Sequence, residues 1–289
     1  MDSGTYDWRF TGDLEEFLGR AGSFLRSQPA LHTVQLTVAD KLRTEGLSAM
    51  GGKPPYFGWL ADEDGTVRAT VLRTPPYQLN LTSLTAGAAD ALAARLALDG
   101  RVIPSAGGPA ETVAAFAAAW ERGTGAAARL AMRQRLYRLG TFTPPEPAPP
   151  GSARVAGADD HGLVARWYAQ FHVDVEEPAG QDPDRWAESR IAYGGITLWE
   201  TPDGTPVAMA GATPEVAGQV RVAPVFTPAP LRGRGYAGAA TASVTRAALD
   251  SGAEEVLLFT DLANPTSNGL YQRLGYEAVA DYAVHEFSA

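Results

Sequence analysis

Apolar positions in the second half of the chain alternate between a two-residue and a helical period. Val220, Val222, Val225 and Phe226 mark a strand over Gln219–Thr227, which Pro228 and Pro230 stop. An Ala-rich helical pattern follows over Tyr236–Ala248 and ends near Gly252, a residue suited to the left-handed turn after a helix. Glu255–Thr260 is a short apolar strand, and the next helix takes Asn264 as N-cap, Pro265 as its first residue and Gly275 as its end. Upstream, Ala153–Val155 reads as a strand, His161–Gln170 as a helix with Leu163, Val164, Trp167 and Phe171 on its apolar side, and Trp186–Tyr193 as a second helix. Ile196–Glu200 and Val207–Ala212 form a hairpin across the Pro202–Gly204 turn, and Ala283–Phe287 closes the sheet.

The first half shows the same rhythm more faintly. Asp13–Phe24 is helical, and Tyr56–Leu60 with Thr66–Leu72 forms a hairpin across Asp62–Gly65, echoing Trp199 and Gly204. Tyr77–Leu81 reads as a strand, Ala86–Leu98 as a helix, Val102–Pro104 as a strand, Pro109–Trp120 as a helix closed by Gly123, and Leu130–Leu139 as the last strand. Thr141–Ser152 carries five prolines and reads as an extended polyproline spacer. Three segments result: a domain over 1–140, a Pro-rich linker over 141–152 and a domain over 153–289, the first a diverged duplicate of the second.

Composition narrows the function. With 289 residues, 45% of them hydrophobic and 20% charged, the chain has the make-up of a globular protein. No apolar run approaches the ~20 residues of a membrane helix, and the first residues lack the basic and apolar stretches of a signal peptide, which makes the cytoplasm the expected compartment. The absence of cysteine excludes disulfides and a cysteine nucleophile, and four scattered histidines predict no metal site. A net charge of −9 argues against nucleic acid.

Against that acidic background, the basic stretch Arg232, Gly233, Arg234, Gly235 between a strand and a helix points to a small anionic ligand. Gly233 and Gly235 allow a tight turn and close backbone approach, and the helix start offers unpaired amides and partial positive charge. No Gly-Lys-Ser/Thr follows, so the loop is not a P-loop.

Together these residues resemble the GNAT N-acetyltransferase superfamily. Arg232, Gly235 and Ala237 match its Arg/Gln-x-x-Gly-x-Gly/Ala acyl-CoA loop; Asn264, Ser267, Leu270, Tyr271, Leu274, Gly275 and Tyr276 match its later Asn-x-x-Ala-x-x-Leu-Tyr-x-x-x-Gly-Phe/Tyr segment, with Ser for Ala. The motifs span Gln219–Tyr276. The resemblance implies an α/β fold (α+β, mixed sheet) of two tandem GNAT-like domains, each a twisted, mostly antiparallel sheet flanked by helices. The first half lacks the loop at Thr82–Gly87 and is the degenerate copy.

The resemblance further implies a V-shaped gap between two parallel strands that takes the pantetheine arm of acetyl-CoA. Pro224 inside the strand fits such a gap, since it cannot donate to the ladder. In that reading Val225, Phe226 and Thr227 bond the pantetheine, and the Val225 amide holds the thioester oxygen. Main-chain amides of Arg232, Gly233, Arg234, Gly235, Tyr236 and Ala237 cradle the pyrophosphate. Tyr271 is the general acid for the departing thiolate, and Asn264 and Asn268 are further contacts. No carboxylate lies in Gln219–Thr227 to act as base. Asp174, Glu176, Glu177, Asp261 and His285 are candidates, while His172 reads as an ordinary helix-end histidine. The expected activity is transfer from an acyl-CoA to a primary amine in a ternary complex without metal. A regulatory protein that holds acyl-CoA without turnover, and an enzyme using a larger acyl group, remain alternatives.

Overall fold

The computed structural model describes residues 6–51, 53–175 and 180–288. Within them the chain forms two compact units: unit 1 takes residues up to 135 with 261–263 and 280–288, and unit 2 takes 136–260 and 264–279.

Unit 1 contains β1 (Trp8–Thr11), α1 (Leu14–Ser27), α2 (Thr33–Glu45), β2 (Tyr56–Ala61), β3 (Val67–Arg73), β4 (Leu79–Leu81), α3 (Ala86–Leu98), β5 (Ser105–Pro109), α4 (Ala110–Thr124) and the start of β6 (Ala127–Leu139). Asp13 begins α1 by accepting from the amides of Glu15 and Glu16 at 2.8 and 3.2 Å. The buried side of that helix sets Phe17 against Phe57, ring centroids 5.1 Å apart. Strands β1 to β4 pair antiparallel, and β4 then pairs parallel with β5, Leu79 opposite Ala106. Leu92, Leu96, Val113 and Phe116 of α3 and α4 are fully buried in this core, each contributing ~1.5–3 kcal/mol by leaving water.

Three expectations change. The strand expected at Val102–Pro104 lies at Ser105–Pro109: Val102 is exposed and Pro104 has no amide to donate, whereas Gly107 and Gly108 sit close under neighbouring groups. The helix α4 runs on to Gly125, whose φ of 76° makes the left-handed cap. Ala283–Phe287 closes the sheet of unit 1, not that of the second half: the last strand spans Tyr276–Ser288, and Tyr282–Glu286 pairs antiparallel with Pro109–Ser105. Phe287 then packs its ring 6.1 Å from Phe116 and 6.2 Å from Trp120.

Unit 2 contains β7 (Ser152–Val155), α5 (His161–Asp174), α6 (Pro183–Ala192), β8 (Ile196–Glu200), β9 (Pro206–Ala212), β10 (Gln219–Phe226), α7 (Tyr236–Asp250), β11 (Glu255–Asp261), α8 (Pro265–Arg273) and the start of β12, the last strand. Strands β7, β8, β9 and β10 follow one another antiparallel, and β10 pairs parallel with β11. One core, including Val220, Val222, Val244 and Leu258, lies between sheet and α7; another, including Trp167, Trp186, Leu198 and Met209, lies under α5 and α6. The fold is therefore mixed α/β, mostly antiparallel sheet with helices on both faces. The Pro-rich stretch is not free of unit 2. Thr143 donates its amide to the Leu274 carbonyl at 3.0 Å, and Arg246 stands 4.6 Å over the Phe142 ring. Among the described residues no helix is long and apolar enough to cross a membrane.

Candidate active site

Strand β10 begins paired to β11 and then loses it. Gln219, Val220 and Arg221 sit opposite Glu255, Val256 and Leu257, and the parallel pairing stops there. Yet β10 runs on to Phe226 and β11 to Asp261. Among the described residues, backbone groups of β10 beyond Arg221 that face β11 thus have no strand partner, the situation Pro224 foretells. On the other side, Val222 pairs with Ala212 and Val225 with Ala210, so two residues of β10 are accommodated against one of β9. That is a β-bulge at Ala223 and Pro224. It reverses the alternation of faces: Val220 and Val222 pack toward α7, and after the bulge Val225 does so while Phe226 joins the α5–α6 core.

Gly211 makes the bulge possible. A methyl group there would stand 2.6 Å from the Ala223 carbonyl oxygen and 3.1 Å from Pro224 Cδ. Thr227, 8% exposed, ends this run with a buried Oγ1 that has no hydrogen-bond partner among the described residues. Such an atom costs about 1–3 kcal/mol unless something bonds it.

The loop from Arg232 to Gly235 is exposed. Gly233 and Gly235 take φ of 77° and 83°, values natural only to glycine, and Gly235 is the N-cap of α7 with no side chain to offer the first amides. The amides of Gly233, Arg234 and Gly235 meet no acceptor among the described residues, and those of Tyr236 and Ala237 belong to the first turn, where the helix supplies none. A Cβ at Gly233 would meet nothing within 4 Å. The cradle is open, amide-lined and at a positive helix end, and it fits a pyrophosphate. The arginine side chains do something else: Arg232 donates from Nε to the Thr227 carbonyl at 2.9 Å and pairs with Asp174, and Arg234 reaches the Pro230 carbonyl at 3.3 Å.

Helix α8 starts as its sequence dictates, with Asn264 Oδ1 accepting from the Ser267 amide at 3.0 Å. Asn268 is engaged on both sides, accepting from the Tyr137 hydroxyl at 2.9 Å and donating to the Asn264 carbonyl at 2.7 Å. Tyr271 is 7% exposed, in the core shared by Val222, Leu258 and Val225, its ring edge-on to Tyr276 at 6.2 Å. Burial pushes its hydroxyl up to about 12, so it carries its proton throughout the neutral range.

The candidate bases scatter. Asp174 is tied to Arg232. Asp261 accepts from the Ala263 amide at 2.8 Å. His285 falls in unit 1, opposite Ala106. Glu176 and Glu177 lie outside the described residues. His172 sits edge-on to the Tyr168 ring at 4.5 Å with a buried, unpartnered Nδ1, and burial holds its pKa below the usual value, so it is neutral near pH 7. Among the described residues no cluster could hold a metal ion.

The sequence offered little to mark Gly211, Thr227 Oγ1 or the Asp174–Arg232 pair. It also gave no sign of Arg221, the last paired residue before the strands part, whose pKa burial and nearby Arg190 lower to about 10. Arg190 and Tyr193 both donate to the Ala212 carbonyl, at 2.8 and 2.9 Å, anchoring the strand end opposite Val222. A cavity of about 410 Å³ in unit 2 lies away from all this, between α7 and the Pro-rich stretch, against Phe142, Trp199 and Arg246.

Residues 163–276 match the model of the acetyltransferase (GNAT) family, a span holding the bulged strand, the amide loop and Tyr271. This segment belongs to the GNAT family. Among solved structures, a GNAT N-acetyltransferase from Sphaerobacter thermophilus is 20% identical, covers 97% of this chain and 94% of its own, and superposes with a TM-score of 0.61. A GNAT-family acetyltransferase from Colwellia psychrerythraea is 10% identical over 98% of this chain and 99% of its own, TM-score 0.59. A tandem GNAT protein from the clavulanic acid biosynthesis pathway is 11% identical over 98% of both chains, TM-score 0.56. At these identities the likeness is one of fold, and it extends beyond the GNAT segment over both units. No curated protein sequence matches the chain.

Proposed function

We propose that unit 2 is an acyl-CoA-dependent N-acyltransferase that moves an acetyl group to a primary amine by direct attack in a ternary complex. The observation that carries this reading is the parting of β10 from β11 after Arg221, with a bulge beside it and a loop of acceptor-free amides at its end. The unpaired edge of Val225–Thr227 suits the amides of a pantetheine arm, with Thr227 Oγ1 as an additional partner. The Val225 amide is the candidate to receive the charge that develops on the carbonyl oxygen. The amides of Arg232–Ala237 take the pyrophosphate, while Arg232 and Asp174 brace the loop. Asn264 and Asn268 shape the start of α8, and any coenzyme contact they make comes on top of that role.

In the reaction the amine nitrogen bonds to the acyl carbon, the carbon–sulfur bond breaks, and the thiolate takes a proton from Tyr271. Tyr271 suits that role because it is protonated at neutral pH. The amine's own proton leaves to water, and water returns a proton to the Tyr271 phenolate. The competing reading, a protein that holds acyl-CoA without turnover, draws on the lack of a carboxylate in β10 and the engagement of Asp174. An acetyl-CoA titration followed by thiol release on an amine panel separates the two. Saturable binding with thiol released on an amine supports the enzyme; binding with no release on any amine supports the holder; no binding contradicts both. Running the panel with longer acyl-CoA donors identifies a larger acyl group.

A further inference from the structure

Unit 1 has a cavity of about 420 Å³ lined by Lys53, Arg73, Pro75, Pro76, Val102 and Pro104. Its size is that of small-molecule pockets, ~300–1,000 Å³. Its walls are three prolines and a valine, and its polar groups are two cations. Among the described residues neither Lys53 nor Arg73 forms an ion pair. Arg73 is a buried arginine held rigidly by donation to the Tyr77 and Val102 carbonyls, at 3.2 and 2.5 Å. A third cation, Arg101, lies over the Tyr56 ring with Cζ 4.0 Å from the centroid, and Arg73 acts on the same tyrosine. Arg101 Nε and the Tyr56 hydroxyl are both buried with no hydrogen-bond partner among the described residues. The nearest carboxylate, Asp99, is 4.0 Å from Arg101 and already bonds Arg95 at 3.1 Å.

Buried positive charge in an acidic chain is costly unless an anion meets it. We propose that this cavity is a binding site for a small organic anion, a carboxylate or phosphate monoester carrying a short apolar body. The anionic group sits between Lys53 and Arg73, and the apolar body rests on Pro75, Pro76 and Pro104. This site lies at the start of β5, whereas the equivalent of the amide loop would follow β4, so it does not repeat the proposed coenzyme site.

The test is calorimetry of the full chain with benzoate, phenyl phosphate and the neutral benzyl alcohol. Saturable binding of at least one anion, with benzyl alcohol at least tenfold weaker, is expected; the better of the two anions tells carboxylate from phosphate. Lys53 is exposed, so Lys53→Glu leaves the fold intact and should weaken binding about tenfold or more, because a neighbouring charge changes sign. Arg73→Gln, checked for folding by its melting temperature, should do the same. Failure of both anions to bind, equal binding of benzyl alcohol, or unchanged affinity in Lys53→Glu would overturn the proposal.

Discussion

Tyr271 joins two things that normally pull apart, a core position and the chemical role proposed for it. Burial supplies both, since the environment that packs the ring also keeps the hydroxyl protonated up to about 12. Tyr271→Phe keeps the packing, so fold and coenzyme affinity should barely change while turnover falls roughly ten- to a thousandfold, the scale of lost general-acid help. Steady-state kinetics beside a binding titration check this; a loss confined to affinity contradicts the acid role. The same burial sets an alkaline limit on stability. Unfolded tyrosine ionises near ~10, so the unfolded chain loses its proton first, and stability present below pH ~10 falls as pH rises toward about 12. A denaturant midpoint flat from pH 7 to 9 and declining above 10 is expected, and Tyr271→Phe should decline less. Asp174 illustrates the opposite case. It is a candidate base by position, and its pairing with Arg232 suits the bracing role proposed for it. The pair is half-exposed and worth about 1 kcal/mol at most. Asp174→Asn should weaken acetyl-CoA binding modestly and leave the shape of the pH–rate profile unchanged, whereas a missing limb in that profile would restore it as the base.

At the scale of elements, the decisive feature is one bulge. Pro224 announced it, because a proline inside an apolar strand forces a gap in the ladder, and the strand–loop–helix order around Arg232 was equally open to reading. Gly211 was not, since a glycine in a strand is ambiguous until its neighbour across the ladder is known. Gly211→Ala should displace the bulge, lowering acetyl-CoA affinity about tenfold or more and costing ~1–3 kcal/mol of stability from overpacking. A variant with native affinity would show that the bulge does not shape the site. Helix α2 escaped the pattern for a different reason. Its buried face includes Thr33 and Gln35, the latter bonded to Thr70 Oγ1 at 2.6 Å and the Asn80 carbonyl at 3.1 Å, so polar residues stand where periodicity expects apolar ones. Strand β5 was misplaced because Gly107 and Gly108 carry no side chain to alternate.

At the scale of the whole molecule, the sequence pointed to two similar halves but not to where the last strand would go, because strand order depends on contacts far apart in the chain. The two units also treat the same helix start differently. In unit 1, Thr85 caps α3 by accepting from the Ala88 amide at 3.2 Å, and the Leu84 amide is taken by Thr112 Oγ1 at 3.0 Å. In unit 2, Gly235 leaves the corresponding amides open. One acyl-CoA per chain should therefore bind, and only through unit 2. Calorimetric titration of acetyl-CoA into the wild-type chain and into Gly235→Asp tests this most directly. A stoichiometry of one is expected for the wild type, and no measurable binding to a variant that still melts cooperatively. Two equivalent sites, or unchanged affinity in folded Gly235→Asp, would contradict it.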